Sequence, residues 1–460
     1  MSTEAEQLHA SPRRYSDVQR ARAALSRIME PSDTAGYAVV NVLGPWETMR
    51  LISGHRRAAE EDLIQVNQLL GDQDEHPWSG LSAAQERWKA RLSGLDPDRD
   101  LLTMERLGGG LLCPEDDLWP SSLRDLELME PLALWYRIAA APRAGGITAL
   151  QDQRQLAEQR ITQLGRGRTL ALVGSRDSTS YGAAVTADLA YQLAQRGVTV
   201  LSGGAYGIDA AAHRAALAAE AAELPTVAVM AGGLDRFYPA GNEELLRSVA
   251  ARGLLVAEVP PGSNPTRFRF LQRNRLIAAL AGATIVVEAR WRSGALSTAH
   301  HAAQIGRPVA AVPGSVMSAN SAGCHRLLRE GAICVTDTEE ALELIEPLGA
   351  AETVQPEVDA YPSDADRGGQ VGIGQQRSHH EAAEQRGLRR VYDGLPGEDL
   401  RLWDALPVRR ATSVEQLGSV AGLGLSAVRA GLGRLELMGL ARRIERGWIK
   451  VAAPSPSADG

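Results

Sequence analysis

Leu170-Ala171-Leu172-Val173-Gly174-Ser175-Arg176-Asp177-Ser178-Thr179-Ser180-Tyr181-Gly182 sets four apolar residues directly before a turn of glycine, serine and arginine, and a helical pattern follows. The arrangement returns at Val198–Leu201, which leads into Ser202-Gly203-Gly204-Ala205-Tyr206-Gly207-Ile208-Asp209. Further short apolar runs stand at Val227–Met230, Leu254–Ala257, Ile285–Val287, Val309–Val312 and Ile333–Val335, separated by segments of helical spacing. Intervals of roughly 20 to 30 residues leave room for a crossover helix between parallel strands. Continuously apolar strands suit a sheet covered on both faces. The pattern from Leu164 to Leu348 therefore predicts a doubly wound α/β domain with a parallel sheet.

The flanks read differently. Residues 16–145 carry Ala/Leu/Arg periodicity, as in Ala21–Met29 and Trp88–Leu95, and close on an aromatic, proline-bearing connector from Trp119 to Tyr136. A helical N-terminal domain with a packed connector is expected there, and the α/β domain then takes 146–348. Residues 349–385 hold Pro, Gly, Asp and Gln with almost no apolar periodicity, the composition of a flexible linker. Within 386–452, helical patterns begin at Arg401, Ser413 and Ser426. Leu440–Ile444 and Trp448–Val451 read as a hairpin joined at Glu445–Gly447. Three helices and a hairpin describe a winged helix.

The 460 residues suffice for several cores. No run of about 18 consecutive apolar residues offers a membrane span, and the polar first twenty residues lack the apolar stretch of a secretory signal. A cytoplasmic protein is expected. Cys113, Cys324 and Cys334 are too few and too scattered for a disulfide framework or a zinc site and read as reduced thiols. The net charge of −7 does not advertise a nucleic-acid binder, but a phosphate chain responds to local potential rather than to the total.

In open α/β sheets, ligands bind beyond the carboxyl ends of the strands, where loops lead into helix N-termini. The turns at Gly174-Ser175-Arg176 and Ser202-Gly203-Gly204 both stand at such places. Glycine lets backbone N–H groups approach an anion, and the helix end adds partial positive charge. The same glycines also serve plain tight turns. A dinucleotide fingerprint is absent, because Ala205 stands where a G-x-G-x-x-G pattern beginning at Gly203 needs its second glycine. No acidic ribose partner follows about 20 residues on, so NAD is not expected, nor is any other cofactor.

Six arginines and one acid, Glu288, lie between Arg267 and Arg292. The run Arg267-Phe268-Arg269-Phe270-Leu271-Gln272-Arg273-Asn274-Arg275 interleaves guanidinium groups with two of the chain's three phenylalanines. Arginine clamps phosphate bidentately, and aromatic rings offer stacking faces to bases. A solvated helix start with its phenylalanines in the core is the plainer reading of the same residues. Arg290-Trp291-Arg292-Ser293-Gly294-Ala295-Leu296-Ser297-Thr298 adds a further hydroxyl-bearing turn on the same sheet edge. Four loops then converge on one rim: Gly174–Arg176, Ser202–Gly204, Arg273–Arg275 and Ser293–Thr298.

No catalytic or metal constellation is legible. Asp209 and His213 share a helix face without a third ligand, and read as an exposed capping Asp and a satisfied His. His300-His301 and His379-His380 also lack ligand partners. Glu258 and Glu288 end strands near the rim and suit helix capping, although acid–base work is open to them.

Taken together, these motifs resemble the DNA-processing protein A family (DprA, also called Smf). The residues that carry the resemblance are Gly174-Ser175-Arg176, Ser202–His213, Gly232-Gly233-Leu234-Asp235-Arg236-Phe237-Tyr238-Pro239 and Arg273-Asn274-Arg275-Leu276-Ile277-Ala278. They continue through Val286-Val287-Glu288-Ala289, Ser293–Ala299, Gly306-Arg307-Pro308-Val309, Val312-Pro313-Gly314 and Ser321-Ala322-Gly323-Cys324-His325, in order over about residues 119–346. The resemblance implies a Rossmann-like domain that binds and shields single-stranded DNA, helps load the RecA recombinase during natural transformation, and forms a homodimer through that domain. It implies that Arg176 and the Arg273/Asn274/Arg275 cluster face DNA phosphates, with Gly203, Gly204, Ser293 and Gly294 in close backbone contact. Phe270-Leu271-Gln272 departs from the Phe-Pro of many members, which bears on Phe270 as a stacking residue. Gly232-Gly233 replaces a common Gly-x-Gly or Cys-Gly variant.

From Arg401 to Lys450 there are nine basic residues and four acidic ones. Duplex DNA contact and protein docking both fit such a module, since fold does not settle function. The competing class for the whole chain is a nucleotide phosphoribohydrolase on a related Rossmann-like scaffold. Those enzymes carry Pro-Gly-Gly-x-Gly-Thr-x-x-Glu, which this sequence lacks.

Overall fold

The apolar runs from Leu170 to Val287 bury both of their faces, whereas Ile333 and Cys334 of the last run are exposed. The computed structural model describes residues 15–71, 80–139, 146–164, 168–346, 395–407, 411–444 and 447–451. The expected linker at 349–385 and the hairpin turn at Glu445-Arg446 lie outside the described residues. The N-terminal region holds α1 (Asp17–Ile28), α2 (Thr34–Ile52), α3 (Glu60–Leu70), α4 (Gly80–Lys89) and α5 (Pro97–Arg106), then β1 (Gly109–Leu112), a 3-10 segment (Ser121–Met129) and β2 (Leu134–Arg137). From α6 (Gly146–Gln163) strands and helices alternate. They are β3 (Thr169–Val173), α7 (Ser180–Gln195), β4 (Thr199–Ser202), α8 (Ile208–Ala218), β5 (Thr226–Met230), α9 (Glu243–Arg252), β6 (Leu254–Ala257), α10 (Arg267–Leu280), β7 (Ala283–Val286), α11 (Gly294–Gln304), β8 (Val309–Ala311), α12 (Ala322–Arg329), β9 (Ile333–Cys334) and α13 (Thr338–Glu343). The C-terminal unit comprises α14 (Gly397–Ala405), α15 (Val414–Ala421), α16 (Leu425–Leu437) and an antiparallel pair, β10 (Ala441–Ile444) and β11 (Gly447–Lys450).

All seven expected strands are present and parallel, in the order β6-β5-β4-β3-β7-β8-β9. Alternation along β3 feeds two cores. Ala171 and Val173 face a layer with Ile277 and Leu280 of α10, and Leu170 and Leu172 face a layer with Leu189 and Leu193 of α7. The strand order reverses between β3 and β7, so the loops that leave these two neighbours part to opposite sides and open a crevice at the carboxyl edge.

The N-terminal region is less purely helical than its periodicity suggests. The segment from Trp119 to Tyr136 supplies β2, which pairs antiparallel with β6, and β1 pairs with β2, so one nine-stranded sheet runs across the expected boundary at 145/146. Trp135 explains the join: fully buried against Leu255 and Ala257 of β6 and neighbouring residues, it needs the sheet to cover its ring. A separate core of Leu25, Ile28, Val39, Ile52 and Trp88 holds the first four helices together. Among the described residues, no helix is long and apolar enough to cross a membrane.

Candidate nucleic-acid interface

The crevice at the β3/β7 switch is a groove of about 530 Å³. Its walls are the loop after β3 (Gly174–Arg176), the start and outer face of α10 (Thr266–Asn274), the loop before α11 (Arg290–Ala295) and Tyr238. Nine of the thirteen residues singled out from sequence line it: Gly174, Ser175, Arg176, Phe270, Arg273, Asn274, Ser293, Gly294 and Thr298. Local chemistry sets each wall. Thr266 caps α10 by accepting the Arg269 N–H, and Ser293 caps α11 by accepting the Ala295 N–H. The Asn274 amide donates to the Gly294 carbonyl at 3.1 Å, tying the start of α11 to α10.

Positive charge is presented at the surface by Arg176 and Arg292. Both are exposed, and neither has an ion-pair partner among the described residues. The Arg176 guanidinium lies 4.8 Å from the Phe270 ring centroid, and Tyr238 sits tilted against the same ring at 6.0 Å. Phe270 is thus a plinth that orients Arg176, while the half-exposed Tyr238 offers the open aromatic face. Arg290 is held at the rim by Asp177 (2.9 Å) and Asn320 (2.8 Å).

Arg273 works from beneath. It is buried, donates to the Gly203 carbonyl at 2.8 Å and to the Val229 carbonyl, and lies 5.7 Å from the Phe270 ring centroid. A Cβ on Gly203 would fall on this guanidinium, so the glycine is required by Arg273. Burial pushes the Arg273 guanidinium down to about 10, with Asp209 opposing the shift and Arg176 adding to it; it remains charged at neutral pH. Asp209 is buried rather than exposed, and it caps its own turn by accepting the N–H groups of Gly203 and Ala205 at 3.2 Å. Burial pushes its carboxyl up, and the Arg273 charge works against that. His213 is buried next to Thr226, its Nδ1 2.7 Å from the hydroxyl. Burial, then Arg273, pushes the imidazole down to about 3, so it is neutral. Since the Thr226 hydroxyl donates to Val200, Nδ1 carries the proton, and Nε2 has no partner among the described residues, so this His is only half satisfied.

Four expected contacts are therefore corrected. Arg275 does not face the groove: it is fully buried, with both Nη atoms 2.8 Å from Glu258 and Nε donating to the Met129 carbonyl. Two helical residues beyond Arg273, it points about 200° around the axis, into the protein. Ser202, Gly203 and Gly204 are buried below Arg273 and do not line the groove. The N–H of Gly203 is taken by Asp209, and the Ser202 hydroxyl donates to Leu172. Gly174 lines the groove but is also needed for packing, as a Cβ there would meet Ile208 and the Glu288 carbonyl. Glu288 caps the entry to α7, accepting the Thr179 N–H at 2.9 Å and its hydroxyl at 2.5 Å, whereas Glu258 serves as the Arg275 counter-ion.

Among the lining residues not singled out from sequence, Tyr238, Arg290 and Arg292 carry the aromatic and cationic character of the rim. Arg290 and Arg292 lead into the Ser293–Thr298 turn, already placed on this rim by its position after β7, whereas nothing in the sequence around Tyr238, an aromatic beside a proline after β5, ties it to Arg176.

A parallel open sheet with an arginine-lined, aromatic-floored groove at its switch point defines a Rossmann-like ligand-binding protein. Residues 158–346 match the model of the family described as DNA recombination-mediator protein A. The Mycobacterium tuberculosis (strain H37Rv) protein described as "Putative DNA processing protein DprA" is 37% identical over 443 residues, covering 96% of this chain and 97% of that one. The DNA processing protein DprA of Streptococcus pneumoniae is 42% identical over 173 residues, 38% of this chain and 60% of that one. An X-ray structure of DNA processing protein A from Streptococcus pneumoniae matches with a TM-score of 0.52 at 26% identity, covering 72% of this chain and 99% of that one. The chain belongs to the DNA recombination-mediator protein A (DprA/Smf) family.

Proposed function

We propose that the groove binds single-stranded DNA, shielding the strand and presenting it for loading of the RecA recombinase during DNA uptake and recombination, with the protein acting as a homodimer through its Rossmann-like domain. The observation that carries this reading is the pair Arg176 and Arg292. These exposed cations have no ion-pair partner among the described residues and face one groove together with Tyr238 and Phe270. Guanidinium groups engage phosphates and aromatic faces engage bases, a combination tolerant of any sequence. The family's description as a recombination mediator supports the second half of the proposal, and the description of the Mycobacterium tuberculosis relative supports a DNA-processing role. No bond-making step is part of it.

Oligo-dT binding followed by fluorescence anisotropy across a salt series tests it. Affinity should fall with salt at a log–log slope of about −0.7 per phosphate contacted. Duplex competitor should displace the strand poorly. Arg176→Glu with Arg292→Glu should lower affinity by about a hundredfold or more, because two phosphate-facing cations become repulsive. Equal binding by parent and double variant would place the site elsewhere. Faster RecA assembly on oligo-dT in the presence of the protein is the expected result for the loading role.

A further inference from the structure

The groove ends at the N-terminus of α10, where the C-terminal unit abuts it. Pro265, Thr266 and Arg267 line this end. One residue further along, the N–H of Phe268 donates to Oδ2 of Asp404, on α14, at 3.1 Å. Arg401, three residues before Asp404, lays its guanidinium 5.3 Å from the Phe268 ring centroid. The first turn of α10 contains no acidic residue of its own, and Arg267 and Arg269 add positive charge to that of the helix end. The anion that this turn favours is delivered by another part of the chain.

The placement is costly unless the donors hold it. Burial pushes the Asp404 carboxyl up, and the Phe268 N–H works against that shift. Elsewhere the C-terminal unit is held by Arg91, which donates to the carbonyls of Ser419 and Val420 at 3.0 and 2.9 Å. A carboxylate on backbone N–H at a helix start makes the same kind of bond as a phosphodiester oxygen. A strand lying along the groove and leaving past Thr266 meets that carboxylate next.

We propose that Asp404 is an internal stand-in for a strand phosphate: through it the C-terminal unit closes the α10 end of the groove and competes with the DNA backbone for the Phe268 N–H. The competition rests on the reading of the groove as a DNA site. It makes the C-terminal unit a brake on strand binding, released when enough of a strand occupies the groove to displace it.

The test uses the full chain, with oligo-dT and a salt series. Asp404→Ala should bind about 3- to 10-fold more tightly than the parent, the scale of a single helix-terminus anion contact. Its salt slope should steepen by about 0.7 for each phosphate gained. Asp404→Asn preserves the shape and removes the charge; it should move the same way by a smaller factor, and it supplies the reading if the alanine variant does not fold. Binding equal to or weaker than the parent's, or tighter binding with an unchanged slope, overturns the exchange of carboxylate for phosphate. Arg176→Glu with Arg292→Glu is run alongside. If the parent binds oligo-dT and this variant does not, failure of the Asp404 arm is failure of the brake alone. If the parent does not bind, the DNA reading falls and takes the brake with it.

Discussion

Helix α10 carries arginines that look alike in sequence and live in two different places. On the groove side, Arg273 lies against backbone carbonyls beneath Arg176, and no carboxylate is hydrogen-bonded to either among the described residues. On the inward side, Arg269 shares Glu30 with Arg91, and Arg275 makes a two-pronged pair with Glu258. The inward arginines join parts of the fold: Glu30 and Arg91 come from the N-terminal helical region, and Arg91 reaches on to the C-terminal unit. An arginine-rich motif thus divides by which residues find a carboxylate. Those that do become structural, and those that do not keep their charge for a ligand.

The largest effect expected from this division is on stability. Arg275→Ala should lose about 3–5 kcal/mol in urea unfolding, because Glu258 is left without its buried counter-ion. The fraction that remains folded should bind oligo-dT as the parent does. Loss of DNA binding at full stability would return Arg275 to the groove. Next comes the mirror image, Arg176→Glu with Arg292→Glu, where binding should collapse while the urea midpoint stays put, since both side chains are exposed.

Acid sharpens the inward side further. Burial by itself would raise the Glu30 carboxyl, but Arg91 and Arg269 more than offset this and hold it well below its ordinary value of 4.5. A depressed folded value means that the stabilisation is complete above pH 4.5 and is lost as the pH falls below it, at up to about 1.4 kcal/mol per pH unit. Glu30→Gln should flatten that acid limb. An unchanged limb would mean that Glu30 is not the linked group. The smallest effect is expected from Phe270→Leu, which removes the ring under Arg176 and should weaken oligo-dT binding about 3- to 10-fold, with little change in salt slope. Affinity equal to the parent's would mean that Arg176 holds its position without the ring.

The strands were legible because each is a short, unbroken apolar run set between segments of helical spacing, and all seven lie where that pattern put them. The two antiparallel strands were not, since Leu134–Arg137 joins the sheet only through β6, more than a hundred residues away, and Gly109–Leu112 only by pairing with Leu134–Arg137. The glycine turn after β4 shows the same limit. Its spacing suits an anion, yet Asp209, six residues after Gly203, already occupies it.

The sequence by itself determined the layered α/β architecture, the carboxyl-edge location of the groove and nine of the residues that line it, because local periodicity and turn chemistry act over a few residues. Only the tertiary structure decided which arginines are free to meet a ligand. Charge pairing depends on carboxylates brought from other elements of the chain, and little more than half a turn of helix between Arg273 and Arg275 separates a groove from a core.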